Sequence, residues 1–181
     1  MFSPKVLDRA NTIEFRVKTE DLGRTEARPI PLEPGKAGHI ARFLEDARAS
    51  VQTDKSSAYA GSVRQLHELL AEFGREFGHR SYAEMMEFRS HYVGAGGNED
   101  DAFDAQVCQK VLPRIHGSKR ELSVGLKNLA AFCFFGPGVS IDDDLDVETA
   151  DPTKAKLTLS FDKVARMWRR LQETHFVSFA E

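Results

Sequence analysis

The residues best suited to chemistry in this chain form one basic tract: Lys110-Val-Leu-Pro-Arg114-Ile-His116-Gly-Ser-Lys119-Arg120. Lys110 and Arg114 are four residues apart and share a face if the tract is helical. Lys119 and Arg120 open the next helix, where free backbone N–H groups add positive potential. A helix start ordinarily favours acid, so two cations there run against local preference. Such conflicts mark candidates for function. Two readings stand: a solvated basic corner paired to Glu121 or to the acidic run beyond it, or a contact for phosphate, nucleic acid or an acidic partner. Arg80 precedes the Ser81 cap of another helix, where an anion would meet the helix N-terminus. Read singly, Arg80 is a surface arginine, and Arg9 carries no signal of its own.

Other chemistries lack their parts. No G-x-x-x-x-G-K-[ST] loop occurs, and the one Gly-Lys pair, Gly35-Lys36, lacks both the upstream glycine and the hydroxyl residue. No apolar run leads into an Asp-Glu pair that could hold magnesium. The histidines at 39, 67, 79, 91, 116 and 175 are scattered without ligand spacing, so no metal site is expected from them. Asp142, Asp143, Asp144, Asp146 and Glu148 suggest calcium or a small metal-dependent enzyme. They lack the loop glycine and terminal glutamate of an EF-hand and read as a solvated loop. Cys108 and His116 lie two turns apart on one expected helix, too far for a nucleophile and its base. Cys108 and Cys133 read as buried thiols.

With 181 residues, 41% of them hydrophobic and 29% charged, the chain has the size and composition of a globular domain with a real core. The net charge of −3 argues against coating nucleic acid with the whole surface. The first residues lack a signal-peptide pattern, and no apolar run approaches the ~20 residues of a membrane span. A cytoplasmic protein with no membrane partner is expected.

The elements that must position these residues are mostly helices. Ser3-Pro4 starts a short helical turn, and Ile13, Phe15 and Val17 alternate with Glu14 and Arg16 as a strand would. Residues 18–35 read as a strap. Helices are expected over Lys36–Ala49, Val63–Phe77 with Gly78 as its stop, Tyr82–Val93 behind a Ser81/Glu84 capping box, and from the acidic run 98–101 to about Gly117. Pro113 should kink that last helix by removing the bond to Gln109. Further helices are expected over Lys119–Phe134, behind a Ser118/Glu121 capping box, and over Phe161–His175. The last follows an extended stretch, 157–160, with Ser160 as cap and Lys163, Arg166, Arg169 and Arg170 outside the buried stripe. The expected class is mainly α, a bundle of about six helices preceded by one orphan β-strand.

Several stretches together resemble a family. Phe2 through Phe15, with its Leu-Asp-Arg9-Ala run, resembles the segment after the sensor-1 strand of AAA+ ATPases. It is most similar to the McrB-type branch of modification-dependent restriction systems. Phe77-Gly-His-Arg80 resembles the start of their lid helix. Phe103 through Ser118, with Gln-Lys110-Val-Leu-Pro-Arg114, and Lys163 through Phe179 resemble their helical C-terminal region. Residues 18–51 and 135–158 carry the resemblance least.

By position, the resemblance implies that Arg9 is an arginine finger reaching a neighbouring subunit's γ-phosphate, a role worth ~10³–10⁵ in rate in related NTPases. It implies that Arg80 is the sensor-2 arginine. Residues 1–18 would be the trailing edge of an α/β core, 19–59 a strap and first helix, and 60–181 the lid and C-terminal helical domain. The P-loop, the magnesium acids and the sensor-1 residue lie upstream in the family. The chain is therefore expected to be a fragment, a gene with a misplaced start, or a stand-alone descendant. It would bind no cofactor and show no NTPase activity alone, and would use ATP or GTP with Mg only in a complete protein. The implied partners are the AAA+ core or like subunits and a nuclease subunit, with DNA contacted indirectly. The alternative is a stand-alone helical module that binds nucleic acid or an acidic partner through Lys110, Arg114, Lys119 and Arg120.

Overall fold

The computed structural model describes residues 6, 10–15, 38–48, 57–138 and 145–179. Two compact units are present, residues 13–51 forming one and residues 1–12 with 52–181 the other. In the smaller unit the described element is helix α1, His39–Arg48, which exposes Ile40 and Leu44. Residues 13–15 are not a strand, and Ile13 and Phe15 are exposed. That corrects the first part of the strand expected over Ile13–Val17; residues 16 and 17 lie outside the described residues. Alternation alone cannot form a strand, because its backbone groups need a partner.

Among the described residues the larger unit holds five α-helices: α2, Ala58–Ala71; α3, His79–Gly94; α4, Glu99–Gln106; α5, Lys119–Phe135; and α6, Thr158–Thr174. The described fold is thus mainly helical with six α-helices, as expected. Its two strands lie elsewhere than expected: β1, His116–Ser118, pairs antiparallel with β2, Phe176–Ser178, with Gly117 opposite Val177. Leu66, Leu70, Leu122, Leu126, Leu129 and Leu171 are completely buried between the helices. Each contributes about 1.5–3 kcal/mol through removal of apolar surface from water.

Local chemistry explains most of the ends. Ser57 caps α2, its side chain accepting from the Ala60 N–H, so that helix begins earlier than expected. Arg75 N–H donates to Leu70 O at 2.9 Å and Gly74 N–H to Ala71 O at 3.1 Å. These two bonds form a Schellman stop with Gly74 at φ 68°. The stop is therefore Gly74, not Gly78. Asn98 caps α4, with Glu99, Asp100 and Asp101 in the first turn, where the helix dipole favours acid. Glu121 reaches back to the Ser118 N–H at 2.9 Å, as the second capping box predicts.

Two starts differ. α3 begins at His79 behind Gly78, so Ser81 lies inside the first turn and is not the N-cap. α6 begins at Thr158 behind Leu157, so residues 158–160 are helical rather than extended. Its free N–H groups at Leu159 and Ser160 donate to the Asp104 carboxylate at 2.8 Å each. A carboxylate from α4 thus performs the capping expected of Ser160. Lys163 also departs from its expected place on the solvent face. It is 2% exposed, its Nζ donating to Phe179 O at 2.6 Å and lying 4.2 Å from the Phe179 ring centre.

The helix expected to reach Gly117 does not continue. After α4 the chain winds as a π-helical segment, Val107–Val111, then a 3₁₀ turn, Leu112–Arg114, before entering β1. Pro113 cannot donate an N–H to Gln109, and that carbonyl instead accepts from Thr12 N–H at 3.0 Å. No helix among the described residues is long and apolar enough to cross a membrane.

Candidate functional site at the start of helix α3

The π-helical segment turns Lys110 inward. Its ammonium is 2% exposed and pairs with Glu84 of α3, and it donates to Ala10 O at 3.2 Å. A buried ammonium is stable only when its donors are met in this way. Arg114, four residues on, reaches the same helix: its Nη2 donates to the buried Ser81 Oγ at 2.7 Å. Arg80 completes the group, Nε donating to Glu84 Oε1 at 2.7 Å. Ser81 and Glu84 are three residues apart and occupy adjacent turns of α3. Three of the residues expected to carry function are therefore gathered by one short stretch of helix.

These contacts change how the basic tract reads. The solvated corner paired to Glu121 or the acidic run fails for Lys110, which is buried against Glu84. The four cations do not form one exposed patch. Lys119 is half-buried and Arg120 exposed at the start of α5. Neither side chain has a hydrogen bond or ion pair among the described residues. Glu121 is engaged by Ser118 through the backbone N–H and the hydroxyl. Those two bonds, helped by Arg75 and His116 nearby, hold the Glu121 carboxyl below its ordinary range. Arg9 lies outside the described residues.

Glu84 is the electrostatic centre of the group. Partial burial pushes its carboxyl up, but hydrogen bonds from Lys110 and Arg80, together with their charges, outweigh that and hold it below the ordinary range. The two cations are held unequally. The Arg80 side chain is 55% exposed and its pair lies at the surface. Such pairs contribute roughly 0–1 kcal/mol. The Arg80 end of this group is therefore the solvent-exposed one and the Lys110 end the buried one.

A cavity of about 360 Å³ opens beside this turn, lined by Arg64, His67, Phe77, Gly78, His79 and Tyr82. Phe77 forms its buried wall, edge-on to His67 with ring centres 5.2 Å apart. The N-cap residue of α3, Gly78, supplies no side-chain cap. The cavity is thus bordered by the first residues of α3 and by Arg64, His67 and Tyr82. Among the described residues no group of three or more His, Cys, Asp or Glu could hold a metal ion. Asp146 accepts from Glu148 N–H and Thr149 Oγ1, a local turn that holds its carboxyl below the ordinary range. Asp142–Asp144 lie outside the described residues. Cys133 is buried, which pushes its thiol well up, and Cys108 is only half-buried. The break after Gln106 also ends the single helix assumed between Cys108 and His116.

The Ser81–Glu84 turn and its basic partners could have been found from sequence only by pairing residues about 30 positions apart. Nothing local marks that pairing. A family model described as a domain of unknown function (DUF8727) matches residues 31–176, and the chain belongs to that family. The match includes Arg80, Lys110, Arg114, Lys119 and Arg120 and stops short of Arg9. No curated protein and no solved structure matches the chain.

Proposed function

We propose that the chain is the C-terminal helical part of an AAA+ NTPase of restriction or defence type, working in the cytoplasm. In this reading it contributes oligomer contacts, nucleotide sensing by Arg80 and an arginine finger, Arg9, to a neighbouring active site. It does not hydrolyse nucleotide alone. The single observation that carries the reading is the start of α3. A helix N-terminus whose N-cap residue supplies no side-chain cap, a cavity and an arginine in a weak surface pair are what a phosphate-sensing lid requires. A phosphate arriving there would take Arg80 from Glu84, while Lys110 keeps the carboxylate neutralised. ATP or GTP with Mg would be held by the P-loop core, and a nuclease subunit would be the effector.

The DNA upstream of the Met1 codon, with the neighbouring genes, tests this reading. A G-x-x-x-x-G-K-[ST] loop followed by an apolar strand ending in Asp-Glu is expected in frame or in an adjacent gene. Absence of such a core from both places removes the proposal. Measurable ATP or GTP turnover by the purified 181-residue chain overturns its non-catalytic part.

One observation favours a second reading, a helical module that binds nucleic acid or an acidic protein. Lys119 and Arg120 have no side-chain partner among the described residues, and they sit at a helix start. Its patch is two cations wide rather than four, because Lys110 and Arg114 are committed to α3.

A further inference from the structure

We infer that Lys110 is a positioning residue that ties the segment ahead of the helical unit, Ala10–Thr12, to the first turns of α3. One ammonium bridges Glu84 on α3 and the Ala10 carbonyl. A second, independent bond lies beside it, from Thr12 N–H to the Gln109 carbonyl that Pro113 leaves without a helical donor. The segment is therefore gripped on both sides of Asn11 by adjacent residues, Gln109 and Lys110, of the π-helical turn. Such turns recur where a helix must present side chains or carbonyls out of the regular phase. Here the irregular winding and the proline together create the acceptor and aim the lysine.

The consequence concerns the residues on either end of the bridge. Ala10 follows Arg9 directly, and Glu84 is the carboxylate that holds Arg80. Lys110 thus joins the peptide next to one arginine to the ion pair of the other. If phosphate draws Arg80 away, Lys110 keeps Glu84 paired, and its balance between Glu84 and Ala10 shifts. Linkage makes the effect reciprocal: a change at the segment is felt at Glu84. The functional meaning of this coupling rests on the AAA+ reading, whereas the tether itself does not.

The test uses the full chain without nucleotide. Amide hydrogen exchange at Thr12 is followed in wild type and Lys110→Met, and the rate of tryptic cleavage after Arg9 in wild type, Lys110→Met and Thr12→Pro. Loss of a hydrogen bond to a charged group corresponds to about tenfold in a local opening equilibrium. Lys110→Met is expected to speed both readouts by about that factor while amides in α5 and α6 keep their native rates. Thr12→Pro removes one N–H without touching the buried lysine, and it should speed cleavage after Arg9 even if Lys110→Met does not fold. Wild-type rates in Thr12→Pro, and in Lys110→Met where it folds, overturn the tether. A confirmed tether with no effect of Arg9→Ala on turnover by an assembled NTPase would instead remove the arginine-finger reading, so the two failures are distinguishable.

Discussion

The two halves of the basic tract behave differently although they are only five residues apart. Lys110 and Arg114 are drawn onto α3 and hold Glu84 and Ser81, whereas Lys119 and Arg120 stand at the start of α5 without a side-chain partner among the described residues. The division falls where the backbone changes from π-helix through a 3₁₀ turn into β1. An unbroken α-helix would have carried all the cations on continuous faces. The break instead commits the first two to packing on α3 and leaves the last two, Lys119 half-buried and Arg120 exposed, at the start of α5. A run of like charges in sequence therefore need not be one surface in space.

The sharpest way to break this comparison is at Glu84. Glu84→Ala leaves the Lys110 ammonium buried without its carboxylate, and losing one partner of a buried pair costs about 3 kcal/mol or more. A thermal melt should fall by roughly 6–12 °C for a chain of this length. Removing both charges with Lys110→Met and Glu84→Gln should recover part of that loss, because the penalty lies in the stranded charge. If Glu84→Ala melts like wild type, the buried pair contributes nothing and the contrast between the halves collapses.

Acid supplies a gentler form of the same break. Burial raises the Glu84 carboxyl but bonds from Lys110 and Arg80 lower it further, so its folded pKa lies below the unfolded one. The stability it contributes is complete above the unfolded value and is lost as pH falls through the folded value. Urea midpoints measured down from pH 6 should therefore drop in that acid window for wild type. The drop should be smaller in Glu84→Gln, which has no carboxyl to protonate. Parallel curves for the two proteins would show that the group does not titrate as placed.

What could be read from sequence was set by how local the cause is. The acids that open α4, and the Ser118–Glu121 box, need only neighbours within one turn, and both stand where expected. Ser81 and Glu84 have the same spacing as that box, yet Gly78 begins the helix earlier, and both side chains serve partners near residues 110–114. Ser160 shows the same limit: its expected capping role is taken by Asp104, 56 residues away. Burial of Lys110 and Lys163 was hidden because a lysine's default is solvent, and the groups that make burial tolerable are an Ala10 carbonyl, Glu84 and the Phe179 carbonyl. Pro113 has no N–H to give the Gln109 carbonyl, as its ring dictates. That Thr12 would fill the gap depends on tertiary placement, which spacing does not encode.

The smallest effect on stability should come from the other half of the tract, where it also decides function. Lys119→Ala with Arg120→Ala removes no side-chain bond among the described residues, so unfolding free energy should move by no more than about 0.5 kcal/mol. Binding can respond much more strongly. If these cations neutralise phosphates on duplex DNA, each released counterion contributes about 0.9 to the slope of log affinity against log salt. Removing both should flatten that slope by roughly 2 while the melt stays put. Unchanged affinity and slope would dispose of this end as a nucleic-acid contact and leave the start of α3 as the chain's candidate site. A large fall in stability would mean instead that Lys119 and Arg120 are packed like Lys110, and that the tract is not divided at all.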